Sequence, residues 1–104
     1  MHDMLAQADK AAAFLKGLSN GHRLMILCHL LDGEKNVSDL ITLTGIPQTS
    51  MSQHLAKLKR EGIVTYRREH RILYYTIAQH DVVQIMGILY EKFCTPQTKK
   101  KGVK

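Results

Sequence analysis

The chain has 104 residues, 44% of them apolar, enough for one folded domain and too many for a disordered chain. Fifteen Lys and Arg against nine Asp and Glu leave a net charge of +6, which points to a polyanionic partner. No apolar run approaches the roughly 18 residues of a membrane span, and two cysteines are too few for a disulfide scaffold. The first residues include Asp3 and Asp9 and lack a secretory pattern. The expectation is a cytoplasmic protein with reduced thiols and no membrane partner.

Residues 4–18 read as a first helix, with Leu5, Ala8, Ala12, Leu15 and Leu18 at helical spacing. Asn20 can cap a second helix over residues 22–32, which carries Leu24, Leu27, Cys28 and Leu31 and ends at Gly33. Ser38 can cap a short helix over 39–43, closed by Gly45. Pro47 then starts a polar helix over 48–60 whose inward positions are Met51, Leu55 and Leu58. Two helices meeting across so short a turn have the layout of a helix-turn-helix.

Beyond Gly62 the apolar period changes from 3.6 to 2. Residues 63–66 and 72–77 read as paired strands, with a basic hairpin tip over 67–71. Asp81 can cap a last, strongly apolar helix that runs to Phe93 and is ended by Pro96. The expected fold is mainly α with a two-stranded β wing, a winged helix-turn-helix spanning residues 1–95. Residues 96–104 form a flexible basic tail with Lys99, Lys100, Lys101 and Lys104. The first and last helices are too apolar to stand alone, so a second copy is expected to cover them. A symmetric homodimer would present two reading heads to a two-fold site in double-stranded DNA.

Charge distribution points the same way. Residues 54–71 carry six Lys and Arg against Glu61 and Glu69, a concentrated basic stripe. Candidate contacts on the polar helix are Gln48, Thr49, Ser50, Ser52, Gln53, His54 and Lys57; those on the wing are Arg67, Arg68 and Arg71. Gln side chains can address adenine edges, whereas Ser and Thr often hold phosphates. A solvated polar face, or charge kept for solubility, is the competing reading. Strong salt dependence of DNA binding would separate the two.

Three segments carry a family resemblance: Leu18-Ser19-Asn20-Gly21-His22-Arg23-Leu24, Thr49-Ser50-Met51-Ser52-Gln53-His54-Leu55-Ala56-Lys57-Leu58, and Arg71-Ile72-Leu73-Tyr74-Tyr75. Over about residues 5–95 the chain resembles the ArsR/SmtB family of small dimeric bacterial repressors. The resemblance implies pairing through the first and last helices and release of an operator when an inducer acts. Gly21 replaces the proline of that family's Asn-Pro-x-Arg-Leu turn. The family's arsenic-type Cys-Val-Cys is replaced by Asn36, Val37 and Ser38. In the zinc-type pattern, Asp81 is kept but Val83 and Cys94 stand where histidines are needed. No metal or other cofactor is therefore expected.

The two cysteines, in Leu27-Cys28 and Tyr90-Glu91-Lys92-Phe93-Cys94-Thr95-Pro96, match the dithiol branch of that family. This branch includes sulfide-responsive biofilm-growth repressors and haemolysin activators. The match implies that persulfides or related oxidants link Cys28 and Cys94 within one subunit. Thiolate chemistry permits it, because one thiolate can take a sulfane sulfur that a second then attacks. The bland alternatives are core packing for Cys28 and an incidental thiol at Cys94. Competing functions are a metal-responsive repressor gathering His22, His29, His54, His70 or His80, and an inducer-free protein that coats nucleic acid. A thiol redox enzyme is a further class, and the expectation is that the chain is not an enzyme.

Overall fold

A computed structural model describes residues 3–94. In chain order the elements are α1 (Met4–Leu18), α2 (Gly21–Leu30), β1 (Lys35–Asn36), α3 (Val37–Thr44), α4 (Gln48–Arg60), β2 (Val64–Glu69), β3 (Ile72–Ile77) and α5 (His80–Phe93). The architecture is a mainly α winged helix-turn-helix with a small β wing. Pro96 and the tail 96–104 lie outside the described residues.

Local chemistry sets the helix ends. Asp3 caps α1 by accepting from the Leu5 amide at 3.0 Å, and Asn20 caps α2 through the Arg23 amide at 3.1 Å. Two expected caps are corrected. The third helix starts at Val37 and is capped by Asn36, not Ser38. Asn36 Oδ1 accepts from the Asp39 amide at 2.8 Å while Asp39 Oδ2 accepts from the Asn36 amide at 3.4 Å. This reciprocal box satisfies two orphan donors where a lone hydroxyl would satisfy one. At α5 the cap residue is Gln79 rather than Asp81, and its side-chain amide instead donates to the Gly62 carbonyl at 2.7 Å.

The second helix also ends sooner than its apolar pattern implies, at Leu30, and a turn through Gly33 follows. Between α3 and α4 the turn depends on Gly45, whose φ of 77° is left-handed. A side chain there would be strained, so glycine is the residue that permits so tight a corner.

The sheet has three strands, not two. β1 pairs antiparallel with β3, giving the order β1-β3-β2. Its two residues are too few to show a period of 2. The basic tip is also shorter than expected, because β2 continues to Glu69 and Arg67 and Arg68 are strand residues opposite Tyr74 and Leu73. Only His70 and Arg71 form the turn, with His70 at a φ of 60°. A two-residue hairpin needs such a positive φ, and His tolerates it better than most residues.

One apolar cluster unites the layers. Ile26, Leu27 and Leu30 of α2 meet Leu40 of α3, Met51, Leu55 and Leu58 of α4, and Val82 and Met86 of α5. No polar or charged side chain is buried among the described residues. By contrast, α1 buries only Gly17 and Leu18, leaving Leu5 70% and Leu15 53% exposed. On α5, Ile88 and Phe93 are 67% and 69% exposed. No helix among the described residues is long and apolar enough to cross a membrane.

Candidate functional site

The outward side of α4 follows from what its other side buries. With Met51, Leu55 and Leu58 in the core, a 100° turn per residue directs Thr49, Ser52, Gln53, Ala56 and Arg60 the opposite way. All five are exposed. Gln48 is exposed in the first turn and Ser50 is half-buried beside it. Lys57 pairs with Glu61 at 2.8 Å, one turn along. Ala56 was not among the expected contacts. Its signal is a lone methyl on the polar side of the helix, the kind of group that can meet a thymine methyl.

His54 lies on the flank of α4, against α2. Its ring centroid is 5.4 Å from that of His22, with the rings nearly perpendicular at 88°. Burial, followed by the charges of Arg23 and His22, holds the His54 imidazole below its usual range. At neutral pH it is therefore an uncharged donor and acceptor.

The three wing arginines have different surroundings. Arg67 donates through Nε and Nη2 to the two Glu34 oxygens at 2.9 and 2.6 Å, and through Nη1 to Glu69 at 2.9 Å. Its guanidinium also lies 4.6 Å from the centre of the Tyr74 ring. The hydrogen bond from Arg67 holds the Glu34 carboxyl below the usual carboxylate range. Arg67 thus fastens the wing to the loop after α2. Arg68 and Arg71 have no hydrogen bond or ion pair among the described residues, so their donors face solvent.

The two thiols meet. Cys28 Sγ of α2 and Cys94 Sγ, one residue past α5, are 4.0 Å apart, and both are free. Cys28 is half-buried and Cys94 exposed. Burial, then the charge of Cys94 and the hydrogen bond with it, pushes the Cys28 thiol up from 9.0 to about 11. Both sulfurs line a largely apolar cleft of about 750 Å³ between α2 and α5. A separation of 66 positions carries no distance information, so only the packing of α2 against α5 could reveal this contact. Among the described residues no three His, Cys, Asp or Glu side chains converge.

Comparison with known proteins decides the family. A family model described as "Bacterial regulatory protein, arsR family" matches residues 20–66. The transcriptional activator HlyU of Vibrio cholerae is 36% identical over 94 residues, covering 90% of this chain and 87% of that protein. The chain belongs to the arsR family of bacterial regulatory proteins. A biofilm growth-associated repressor of Xylella fastidiosa is 38% identical over 95 residues, covering 91% of this chain and 83% of that one. The structure of reduced HlyU from Vibrio cholerae superposes with a TM-score of 0.85 at 36% identity, covering 91% of this chain and 100% of that one. As a member of this family the chain is a DNA-binding transcriptional regulator, and it is not an enzyme.

Proposed function

We propose that this regulator is a cytoplasmic homodimer, that it binds a two-fold operator as a repressor, and that it releases the DNA when a persulfide joins Cys28 to Cys94. The observation that carries the reading is the 4.0 Å separation of the two sulfurs. Exposed apolar side chains on α1 and α5 support pairing through those helices. Thr49, Ser52 and Gln53, with Gln48, Ser50, His54 and Lys57 on the flanks, form the reading surface. Arg68 and Arg71 supply phosphate contacts from the wing.

The chemistry runs in a definite order. Cys94 is exposed and reacts first, whereas a thiol with a pKa of about 11 is almost wholly protonated at neutral pH. The Cys94 thiolate attacks the terminal sulfur of R–S–SH, and R–S⁻ leaves and takes a proton from solvent. A second donor converts Cys28 in the same way. The terminal sulfur on Cys94 then attacks Cys28 Sγ, breaking its S–S bond and expelling HS⁻, which leaves Cys–S–S–S–Cys. One sulfane sulfur stays in the bridge and the other is reduced to sulfide, so the two thiols are oxidised with no other reagent. Two S–S bonds of about 2.04 Å, bent at the central sulfur, span about 3.3 Å. The reduced gap of 4.0 Å is a non-bonded contact, so the two sulfurs must close by about 0.7 Å to form this bridge.

Binding to a defined operator, measured beside intact mass after persulfide treatment, tests this. Bridging is expected to add one sulfur to each subunit and to weaken DNA binding until a reductant restores both. Cys28→Ser and Cys94→Ser should each bind the operator and fail to respond. A full response in both variants would overturn the thiol mechanism.

A further inference from the structure

The cleft beside the thiols is much larger than the sulfur it has to admit. An inorganic two-sulfur anion needs about the room of two waters, roughly 60 Å³, against the cleft's volume of about 750 Å³. The cleft extends along α2 from Cys28 back to Gly21, two helical turns or about 10 Å. Its walls are Leu24, Met25 and Leu31 on one side and Met86, Leu89 and Phe93 on the other. Among the described residues no Lys or Arg lines it; the charged or titratable groups there are His29, Asp32, Tyr90 and the two cysteines.

We infer that this cleft is a binding site for an organic hydropersulfide whose R group is uncharged and apolar, and that it selects the sulfur donor. The inference rests on the thiol reading above and adds the chemical class of the inducer. The apolar tail lies between α2 and α5 and sets the terminal sulfur beside Cys94. Attack by the Cys94 thiolate forms the new S–S bond and breaks that of the donor, whose R–S⁻ leaves and is protonated by solvent. A peptide persulfide carrying carboxylates fits poorly, because its charges would lose water against leucine and methionine and meet Asp32 in place of a cation. Volume and apolar walls distinguish this cleft from a site for inorganic polysulfide or for a charged thiol carrier.

Gly21 offers a way to test the cleft without touching either sulfur. A Cβ built there meets nothing within 4 Å, so Gly21→Trp fills the far end into open space, and Gly21→Ala serves as the control. The probes are hexyl hydropersulfide, glutathione persulfide and sodium tetrasulfide. Initial rates of mass gain on the dimeric protein are divided by each donor's rate with a small free thiol, which removes intrinsic reactivity. Burying two methylenes of the donor is enough for a preference of about tenfold for the hexyl compound over the glutathione one. Gly21→Trp should abolish that preference, Gly21→Ala should keep it, and neither should alter the tetrasulfide rate.

Equal corrected rates for the two organic donors, or a preference that survives Gly21→Trp, would overturn the inference. A Gly21→Trp protein that dissociates to monomers and shows no donor preference would assign the cleft to the second copy, and overturn it too. In each case, operator release by tetrasulfide would leave the thiol switch standing. Failure of all three donors to bridge the thiols would remove the switch and the inference together.

Discussion

Arg67, Arg68 and Arg71 lie within one five-residue stretch and are equal in charge, yet their partners predict opposite responses to neutralisation. Each phosphate contact releases counterions and contributes about 0.9 to the slope of log K against log salt. A symmetric dimer carries two copies, so Arg68→Ala and Arg71→Ala should each flatten the slope by about 1.8. At 0.15 M salt, counterion release alone makes that a loss of about 30-fold in affinity. Arg67 already gives Nε, Nη1 and Nη2 to Glu34 and Glu69. Its single replacement would bare two carboxylates near the DNA, so the informative variant is Glu34→Gln with Arg67→Gln, which keeps the net charge of the cluster. That double variant should leave the slope within experimental error of the parent. Fluorescence anisotropy on one operator across a salt series measures all of these slopes. A double variant that flattens the slope as much as Arg68→Ala would place Arg67 on phosphate and refute the assignment.

Four further outcomes follow from the site and the core. Alkylation of Cys28 should accelerate about tenfold per pH unit and level off only near pH 11, because the thiolate is the reacting form. Cys94→Ser removes two of the three causes that hold the thiol up, so it should speed the reaction at pH 8; burial, the largest cause, stays, so the ordinary rate of a free thiol should not return. Leu55, 1% exposed beneath α4, should cost about 2–5 kcal/mol as Leu55→Ala in urea unfolding. Gly45→Ala puts a side chain at a φ of 77° and should cost about 1–2 kcal/mol by the same assay.

The fold was legible wherever a pattern repeats over several residues. Met51, Leu55 and Leu58 recur at helical spacing and are buried as expected, and the apolar run of β3 pairs along its whole length. What escaped the sequence was short or distant. β1 has two residues and no period. The Asn36–Asp39 box competes locally with Ser38, and reciprocal bonding decides between them. Arg67 reads as part of a basic tip because Glu34, its partner, lies 33 residues earlier in a loop. Only tertiary structure supplies that charge pairing. The cysteines are the converse case. Their surroundings resemble a dithiol branch, but neither residue encodes a distance to the other until α2 and α5 are packed.

That packing also indicates how a closure of about 0.7 Å at the thiols, from 4.0 Å to the span of the bridge, could reach DNA. α2 carries Cys28 on the cleft side and buries Ile26, Leu27 and Leu30 in the core that supports α4. Its first turn places His22 against His54 of the reading helix. The loop after its last turn places Glu34 on Arg67 of the wing. One rigid helix therefore touches both parts of the proposed DNA surface, while α5 offers Ile88 to the proposed dimer face. A close-packed core transmits such a shift instead of absorbing it. Drawing Cys28 toward Cys94 would accordingly turn the helix, wing and reading head together against the dimer axis. Two half-sites one helical turn apart tolerate little change in that angle. Release of the operator then requires no chemistry at any residue that touches it.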